Sequence, residues 1–388
     1  MTYQTITTET IPIRVWAVGE IDLADQVFVQ ARNLANLPIA REWICLMPDY
    51  HVGYGMPIGG VLATEGAVVP NAVGVDIGCG MIAARTAFAA DDFSREQLQA
   101  MREAIHARVP VGLKHHESRQ PLPDDLVADA GNLRFVSAEI DRAAFQVGTL
   151  GGGNHFIELQ RDEEGRVWIM LHSGSRNVGF RVCNHYHADA KALMKALGIE
   201  LPDVDLSYLP ADSPLHDEYL AEMRWCMRFA EANRVHMFEE VCEAIVEVVG
   251  ARPEIDLRFD THHNFAQMER HGGKDLLIHR KGAVRAEGLV TIPGSMGTAS
   301  YIGEGLLPAA SFETCAHGAG RVMGRKEAKR TITHEQAVEQ MSHVVFGVRA
   351  GDYDEMPVAY KDIDEVMVAQ ADLVRPVHRL LPLAVVKG

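Results

Sequence analysis

Asp76 and Cys79 stand three residues apart in the run Ala72-Val73-Gly74-Val75-Asp76-Ile77-Gly78-Cys79-Gly80-Met81. Its glycines make this stretch a turn rather than the interior of a helix or strand. A carboxylate and a thiol in one turn can face a common point, as metal ligands must. Three later segments each set a histidine in a similarly tight context: Gly152-Gly153-Asn154-His155, Leu171-His172-Ser173-Gly174 and Thr261-His262-His263-Asn264. A site that uses all of them must draw together residues 76 to 263, so that stretch has to fold as one unit. On an extended segment neighbouring side chains face opposite ways, so only one of His262 and His263 is expected to be a ligand. Carboxylate, thiolate and imidazole together suit Zn²⁺, Mn²⁺ or Fe²⁺, and a thiolate can bridge two ions.

Other segments carry chemistry of a different kind. Gly148-Thr149-Leu150-Gly151-Gly152-Gly153-Asn154 lets backbone N–H groups approach a phosphate, with Asn154 as a donor and Glu158 as an acceptor or further ligand. Pro293-Gly294-Ser295-Met296-Gly297 stiffens and clears a turn whose hydroxyl and amides can grip a nucleotide. In Cys315-Ala316-His317-Gly318-Ala319-Gly320-Arg321 an imidazole lies four residues before a guanidinium. An imidazole nitrogen can attack a nucleotide α-phosphorus, and a guanidinium can stabilise charge on its oxygens.

Charge sharpens this reading. The chain of 388 residues has a formal charge of −16, which does not suit a general nucleic-acid binder. Residues 270–330, however, hold 10 Lys/Arg against 5 Asp/Glu, whereas the rest holds 27 against 48. A local positive surface on an acidic body suits a phosphate-rich ligand held at one place. The six cysteines form no CxxC and no disulfide framework. No signal peptide and no apolar run of membrane-spanning length is read, so a cytoplasmic protein with no membrane association is expected.

The hydrophobic pattern predicts an α+β fold without a regular βαβ rhythm. Helices are expected over 20–36, over 92–108 with Ser94 and Gln97 as a capping box, and over 178–197. The longest should run from 214 to 249, capped by Ser213, opened by Pro214 and stopped by Gly250. Trp225, Met227, Phe229, Met237 and Phe238 on it read as core. A terminal helix is expected over 362–374 with Asp362 and Glu365 as its capping pair. Strands are expected at 167–171, 255–259, 276–280 and 288–292.

Taken together, Met47-Pro48-Asp49-Tyr50-His51-Val52-Gly53-Tyr54-Gly55, Val73 to Gly80, Gly151 to Phe156, Leu171 to Arg176, His263-Asn264, Arg280 to Ala283, Pro293 to Gly297, His317 to Arg321 and the terminal Val386-Lys387-Gly388 resemble the RtcB family of RNA ligases. The match runs in order from about residue 45 to the end. It implies one ligase domain over residues 1–388, with mixed sheets and helices around a central dinuclear metal and nucleotide cleft. It further implies a GTP- and Mn²⁺-dependent enzyme that joins an RNA 3′-phosphate or 2′,3′-cyclic phosphate to an RNA 5′-hydroxyl. By motif position, Asp76, Cys79, His155, His172 and His263 would bind two Mn²⁺ with Cys79 bridging, and His317 would take GMP. Asn154, Glu158, Asn264, Pro293, Ser295, Gly318, Gly320, Arg321 and Lys387 would contact the guanylate. Asp49 and His51 match a motif near the site without an assigned role. The basic 270–330 region would lie near the nucleotide and the RNA ends.

The chain departs from the family pattern at Asn177-Val178-Gly179-Phe180, in a compact 112–131 stretch, and at His115-His116-Glu117-Ser118-Arg119. These differences touch RNA contacts more than the metal ligands. The resemblance leaves open the physiological RNA and the need for an activator of the archease type. It also leaves open an enzyme that only caps 3′-phosphates with GMP, a metal-dependent phosphodiesterase, or a scaffold with a structural metal.

Overall fold

The computed structural model describes residues 3–388 and is α+β, with two large sheets that meet at the candidate site. The seven-stranded sheet runs in the order Ile255–His262, Gly80–Ala89, Arg166–Ser173, Phe156–Arg161, Val374–Lys387, Ser300–Gly305 and Leu289–Ile292, all antiparallel. The six-stranded sheet runs Gln4–Ile6, Ile13–Val15, Ala40–His51, Ile58–Thr64, Lys274–Lys281 and Asn264–His271, with one parallel pair, Ile13–Val15 on Ala40–His51.

Period-two alternation explains how the first sheet is buried on both faces. Ile82, Ala84, Ile169 and Leu171 pack against Met237, Phe238, Val241 and Ile245 of the helix Pro214–Val249. Their neighbours Met81, Ala83, Trp168 and Met170 form the opposite layer with Phe156, Ile302 and Leu380. The long helix has the expected bounds, with Ser213 accepting from the Leu215 N–H, Pro214 at the first position and Gly250 in the left-handed region. Trp225, Phe229, Met237 and Phe238 are buried as expected, and Met227 is half-buried. The helix Arg95–Arg108 carries the Ser94–Gln97 capping box.

Two helices are clearly shorter than the sequence reading. The first helix covers only Gln26–Ala35, because Asp25 caps it and the residues before are turn. The last is only Ile363–Ala369, since the strand Val374–Lys387 claims the residues that follow. Its cap is Asp362, which accepts from the Asp364 N–H, without a reciprocal bond to Glu365. Among the described residues, no helix is long and apolar enough to cross a membrane.

One residue joins the two sheets at the site. His262 pairs with Gly80 in the seven-stranded sheet, and Asn264 pairs with Lys281 in the six-stranded sheet. His263 is the single residue between them. Its N–H donates to the Cys79 carbonyl at 2.9 Å, so its position is fixed from both sides.

Candidate metal centre and nucleotide-binding site

Four of the five expected ligands converge in a buried cluster, and the fifth borders it. The Cys79 Sγ lies 3.4 Å from His155 Nε2 and 3.2 Å from His172 Nε2. The Asp76 carboxylate is 3.0 Å from His155 Nε2, and His172 Nε2 is 3.3 Å from His263 Nε2. The ligand atoms fall into two triplets, Asp76–Cys79–His155 and Cys79–His172–His263, each with its atoms within 4.8 Å of one another. Cys79 is common to both. His262 turns away, toward Arg234 and the Gly78 carbonyl.

The protonation pattern follows from the partners. His155 Nδ1 faces the Leu150 carbonyl at 3.0 Å, and His172 Nδ1 faces the Asn154 carbonyl at 3.2 Å. A carbonyl only accepts, so each Nδ1 carries a proton; the neutral His172 then turns an Nε2 lone pair inward, while His155 Nε2 faces the Asp76 carboxylate. Burial first, then the charge of neighbouring histidines, holds His172 and His263 well below the usual imidazole range. They are therefore neutral, as metal ligands must be. For Asp76 burial acts upward, but the hydrogen bond and charge of His155 and the charge of Arg176 outweigh it and keep the carboxyl low. Burial and then the Asp76 charge push the Cys79 thiol well up. Three imidazoles, a carboxylate and a thiol meet here, with the thiol proton among them. This donor set fits cations that would draw off that proton.

The ligand turns are held from behind by residues the sequence reading did not single out. Arg234, wholly buried on the long helix, donates to the Gly78 carbonyl at 3.0 Å and the Ser173 carbonyl at 2.9 Å. Those carbonyls directly precede Cys79 and follow His172. Asp260 grips the same guanidinium at 2.7 and 2.6 Å and offsets its charge. Asn233 Oδ1 accepts from the Gly148 and Thr149 N–H groups, and its amide donates to Thr149, Ser173 and Gly174. The signal for both was a pair of polar residues on the helix face shared with Ala230 and Met237. Gly174 is needed for a close approach, since a Cβ there would sit 2.2 Å from the Asp76 carboxylate.

His317 stands against this cluster, its ring centroid 4.9 Å from that of His263. Asp49, fully buried at the end of the strand Ala40–His51, accepts from the His317 backbone N–H at 3.0 Å and from Nδ1 at 2.6 Å. The Nδ1 proton is thereby committed to Asp49, which in the neutral ring leaves the lone pair on Nε2. Gly320 makes this approach possible. It adopts φ +74°, and a Cβ there would lie 2.2 Å from the Asp49 carbonyl oxygen. His51 donates back to the Asp49 carbonyl at 3.0 Å, and burial lowers its ring to about 4.

The residues expected around the guanylate form a looser set. Lys387 pairs in register with Phe156, two residues from Glu158, and its Nζ lies 5.8 Å from the Phe156 ring centroid. Lys387 and Arg321 both reach Glu355, at 2.8 and 3.4 Å, a carboxylate the sequence reading missed because it lies in a segment without a motif. Ser295 bonds Thr298, and the Pro293 carbonyl accepts from the Ala319 N–H beside Gly318. Asn154 is exposed on its glycine loop. Asn264 spends its side chain on backbone, donating to the Asp76 carbonyl at 2.9 Å and accepting from the Gly282 N–H at 2.8 Å, so it braces the Asp76 turn.

The expected free positive surface over 270–330 is corrected by the ion pairs. Seven of its ten cations are neutralised: Arg270 by Asp275, Lys274 by Glu42, Arg280 by Glu269, Arg285 by Glu287 and Glu313, Arg321 by Glu355, Arg325 by Asp354 and Glu355, and Lys329 by Asp354. Several of the partners come from far along the chain, where a local charge count does not look.

Glu158 gives a pH prediction. Burial pushes its carboxyl up from 4.5 to about 7, against the Gln160 hydrogen bond and the Lys387 charge. Below the lower value the group is neutral whether folded or unfolded. Between the two values the unfolded chain ionises first, so stability is lost as pH rises, by about 3 kcal/mol in full. Glu158→Gln should therefore unfold at higher urea than wild type at pH 8, with the gap closing toward pH 4.5. Equal midpoints at pH 8 would refute a buried charge there.

A family model described as tRNA-splicing ligase RtcB matches residues 30–130 and 124–388. The chain is 39% identical to the RNA-splicing ligase RtcB of Escherichia coli (strain K12) over 420 aligned positions, covering all of both chains. It is 33% identical to the protein of that name from Mycobacterium tuberculosis, over 93% of this chain and all of the relative. It is 34% identical to the tRNA-splicing ligase RtcB of Aeropyrum pernix, over 94% of this chain and 92% of the relative.

Proposed function

Because the chain belongs to the RtcB family and is an RNA ligase, we propose that it uses GTP to join RNA 3′-phosphate or 2′,3′-cyclic phosphate ends to 5′-hydroxyl ends, with His317 as the residue that takes GMP. The observation that carries this reading is the His317 imidazole, held at Nδ1 by Asp49 and set against the His263 edge of the ligand cluster.

His317 Nε2 attacks the α-phosphorus of GTP, so that an N–P bond forms and the bond to the pyrophosphate oxygen breaks. Asp49 keeps the Nδ1 proton and offsets the positive charge the ring acquires. An RNA 3′-phosphate oxygen then takes the GMP from His317, which regenerates the imidazole and gives a 3′-end with GMP as leaving group. The RNA 5′-hydroxyl displaces GMP from that end and closes the phosphodiester. Without GMP the leaving group would be oxide, which explains the need for GTP. Asp76, Cys79, His155, His172 and His263 would hold two Mn²⁺ ions, Cys79 being shared, and bound ions supply positive charge toward phosphate oxygens. Asn154, Glu158, Asn264, Pro293, Ser295, Gly318, Gly320, Arg321 and Lys387 would surround the guanylate. Residues 1–388 would act as one ligase domain in the cytoplasm, a reading supported by six buried cysteines, all unpaired.

The test supplies purified protein with Mn²⁺, GTP and two RNA fragments, one ending in a 3′-phosphate and one beginning with a 5′-hydroxyl. A sealed product that needs both GTP and Mn²⁺ is expected. A GMP-capped 3′-end that is never sealed would make the protein a capping enzyme. Opening of cyclic ends without nucleotide use would make it a phosphodiesterase. Sealing only after an archease-type protein is added would identify an activator.

A further inference from the structure

Several cations without a carboxylate partner gather outside the 270–330 stretch. On the helix Arg95–Arg108, Arg95 donates to the Val344 carbonyl at 3.3 Å and Arg102 to the Val385 carbonyl at 2.8 Å. Arg102 also lies over the Phe346 ring, 5.6 Å from its centroid. Arg349 and Lys114 are exposed. After burial, the positive charges of Arg349, Arg102 and Lys114 hold the His106 ring below its usual value, so all three lie within electrostatic reach of His106. Among the described residues none of Arg95, Arg102, Lys114 and Arg349 forms an ion pair; Glu103 and Asp352 are the acidic groups that face Arg102.

This cluster is continuous with the site. The Gly112 N–H, two residues before Lys114, donates to the Gly151 carbonyl at 2.9 Å, on the glycine loop that leads to His155. Arg176 donates to the Gly112 carbonyl at 3.4 Å and to Thr149 at 3.0 Å, and its charge acts on Asp76 and Cys79. A line of cations without salt bridges thus runs from the ligand cluster through Arg176 and Lys114 to His106, Arg102 and Arg349, with Asp76 the carboxylate nearest Arg176 in charge and Asp352 accepting from the Arg349 backbone N–H at 2.9 Å. In a chain of charge −16 such like charges repel one another and have carboxylates available elsewhere. A surface that leaves them unpaired is matched to a polyanion.

We propose that this track, from Arg176 through Lys114 to His106, Arg102 and Arg349, binds the sugar–phosphate backbone of an RNA strand as it leaves the ligation site. The inference rests on the ligase reading and adds where the strand runs. It places part of the RNA surface in the compact 112–131 stretch where the chain departs from the family pattern.

The test uses the full-length double variant Lys114→Glu/Arg349→Glu, whose side chains are exposed and lie outside the metal and nucleotide residues. Binding of a single-stranded RNA with a 3′-phosphate is followed by fluorescence anisotropy across a salt series. Affinity at low salt should fall at least ~10-fold, and two lost phosphate contacts should flatten the salt slope by about 1.4. GMP labelling of His317 by GTP should stay at the wild-type rate. RNA affinity and slope equal to wild type, in protein that still takes GMP, would overturn the track while leaving the ligase reading intact. A wild-type protein that binds no RNA would overturn both. Lys114→Gln/Arg349→Gln should give an intermediate loss, which a misfolded charge-reversal variant would not reproduce.

Discussion

Replacing His317 with alanine is expected to abolish transfer of label to the protein from GTP radiolabelled at the α-phosphate. Among the described residues, His317 is the imidazole beside the cluster whose Nδ1 is held by a carboxylate. His155 and His172 turn their Nε2 toward Cys79. The Asp49→Asn variant tests the cause rather than the residue. An amide can present its N–H to Nδ1 and draw the proton to Nε2, the nitrogen that must attack. Labelling at saturating GTP should then slow by roughly two to four orders of magnitude, with GTP affinity little changed. The measurement is single-turnover labelling on denaturing gels, with circular dichroism to verify the fold. An Asp49→Asn protein that labels at the wild-type rate would remove Asp49 from the mechanism. A His317→Ala protein that still labels would move the nucleophile elsewhere.

Cys79→Ala is expected to have the second large effect, and its reach separates a shared ligand from an ordinary one. Cys79 belongs to both triplets, whereas Asp76 and His263 each belong to one. Loss of the thiol should therefore depress binding at both positions. Asp76→Asn or His263→Ala should each leave one ion bound. Calorimetric titration of the metal-free protein with Mn²⁺ reads this directly. The expected stoichiometry is two for wild type and one for each single-triplet variant, with both affinities lowered by at least ~100-fold in Cys79→Ala. Ligation should fall with the second ion. Two tightly bound ions in Cys79→Ala would refute the shared role.

Much of the candidate site was legible because its groups sit in backbone settings that repeat from turn to turn. Asp76, Cys79, His155, His172 and His317 all neighbour glycines, and such turns are where the chain can bring side chains to a point. The long helix was legible at both ends, since Ser213, Pro214 and Gly250 act through local backbone geometry alone. The helix after Asp362 was overextended because its pattern does not record that Val374–Lys387 pairs with Phe156–Arg161 and Ser300–Gly305.

Charge was the least legible property. The excess of Lys/Arg over 270–330 pointed to an open positive surface, yet Glu42, Glu269, Asp354 and Glu355 alone pair with five of its ten cations. The unpaired cations of the proposed RNA track come from 95–114, 176 and 349, three stretches that no local count would join. Arg234 and Asn233 escaped notice for the same reason, since their partners lie between 26 and 156 residues away along the chain.

By itself the sequence determined which residue types with metal and nucleotide chemistry are present, the turns that carry them, the α+β class and the course of the long helix. Each of these depends on residues within a few positions of one another. Tertiary structure alone decided that Cys79 is common to two triplets, that Asp49 rather than a nearer residue holds His317, and which cations stay free. Those outcomes depend on distances between strands of different sheets. Such distances are set by how the two sheets meet at His263, and pairing across space leaves no mark on neighbouring letters of the chain.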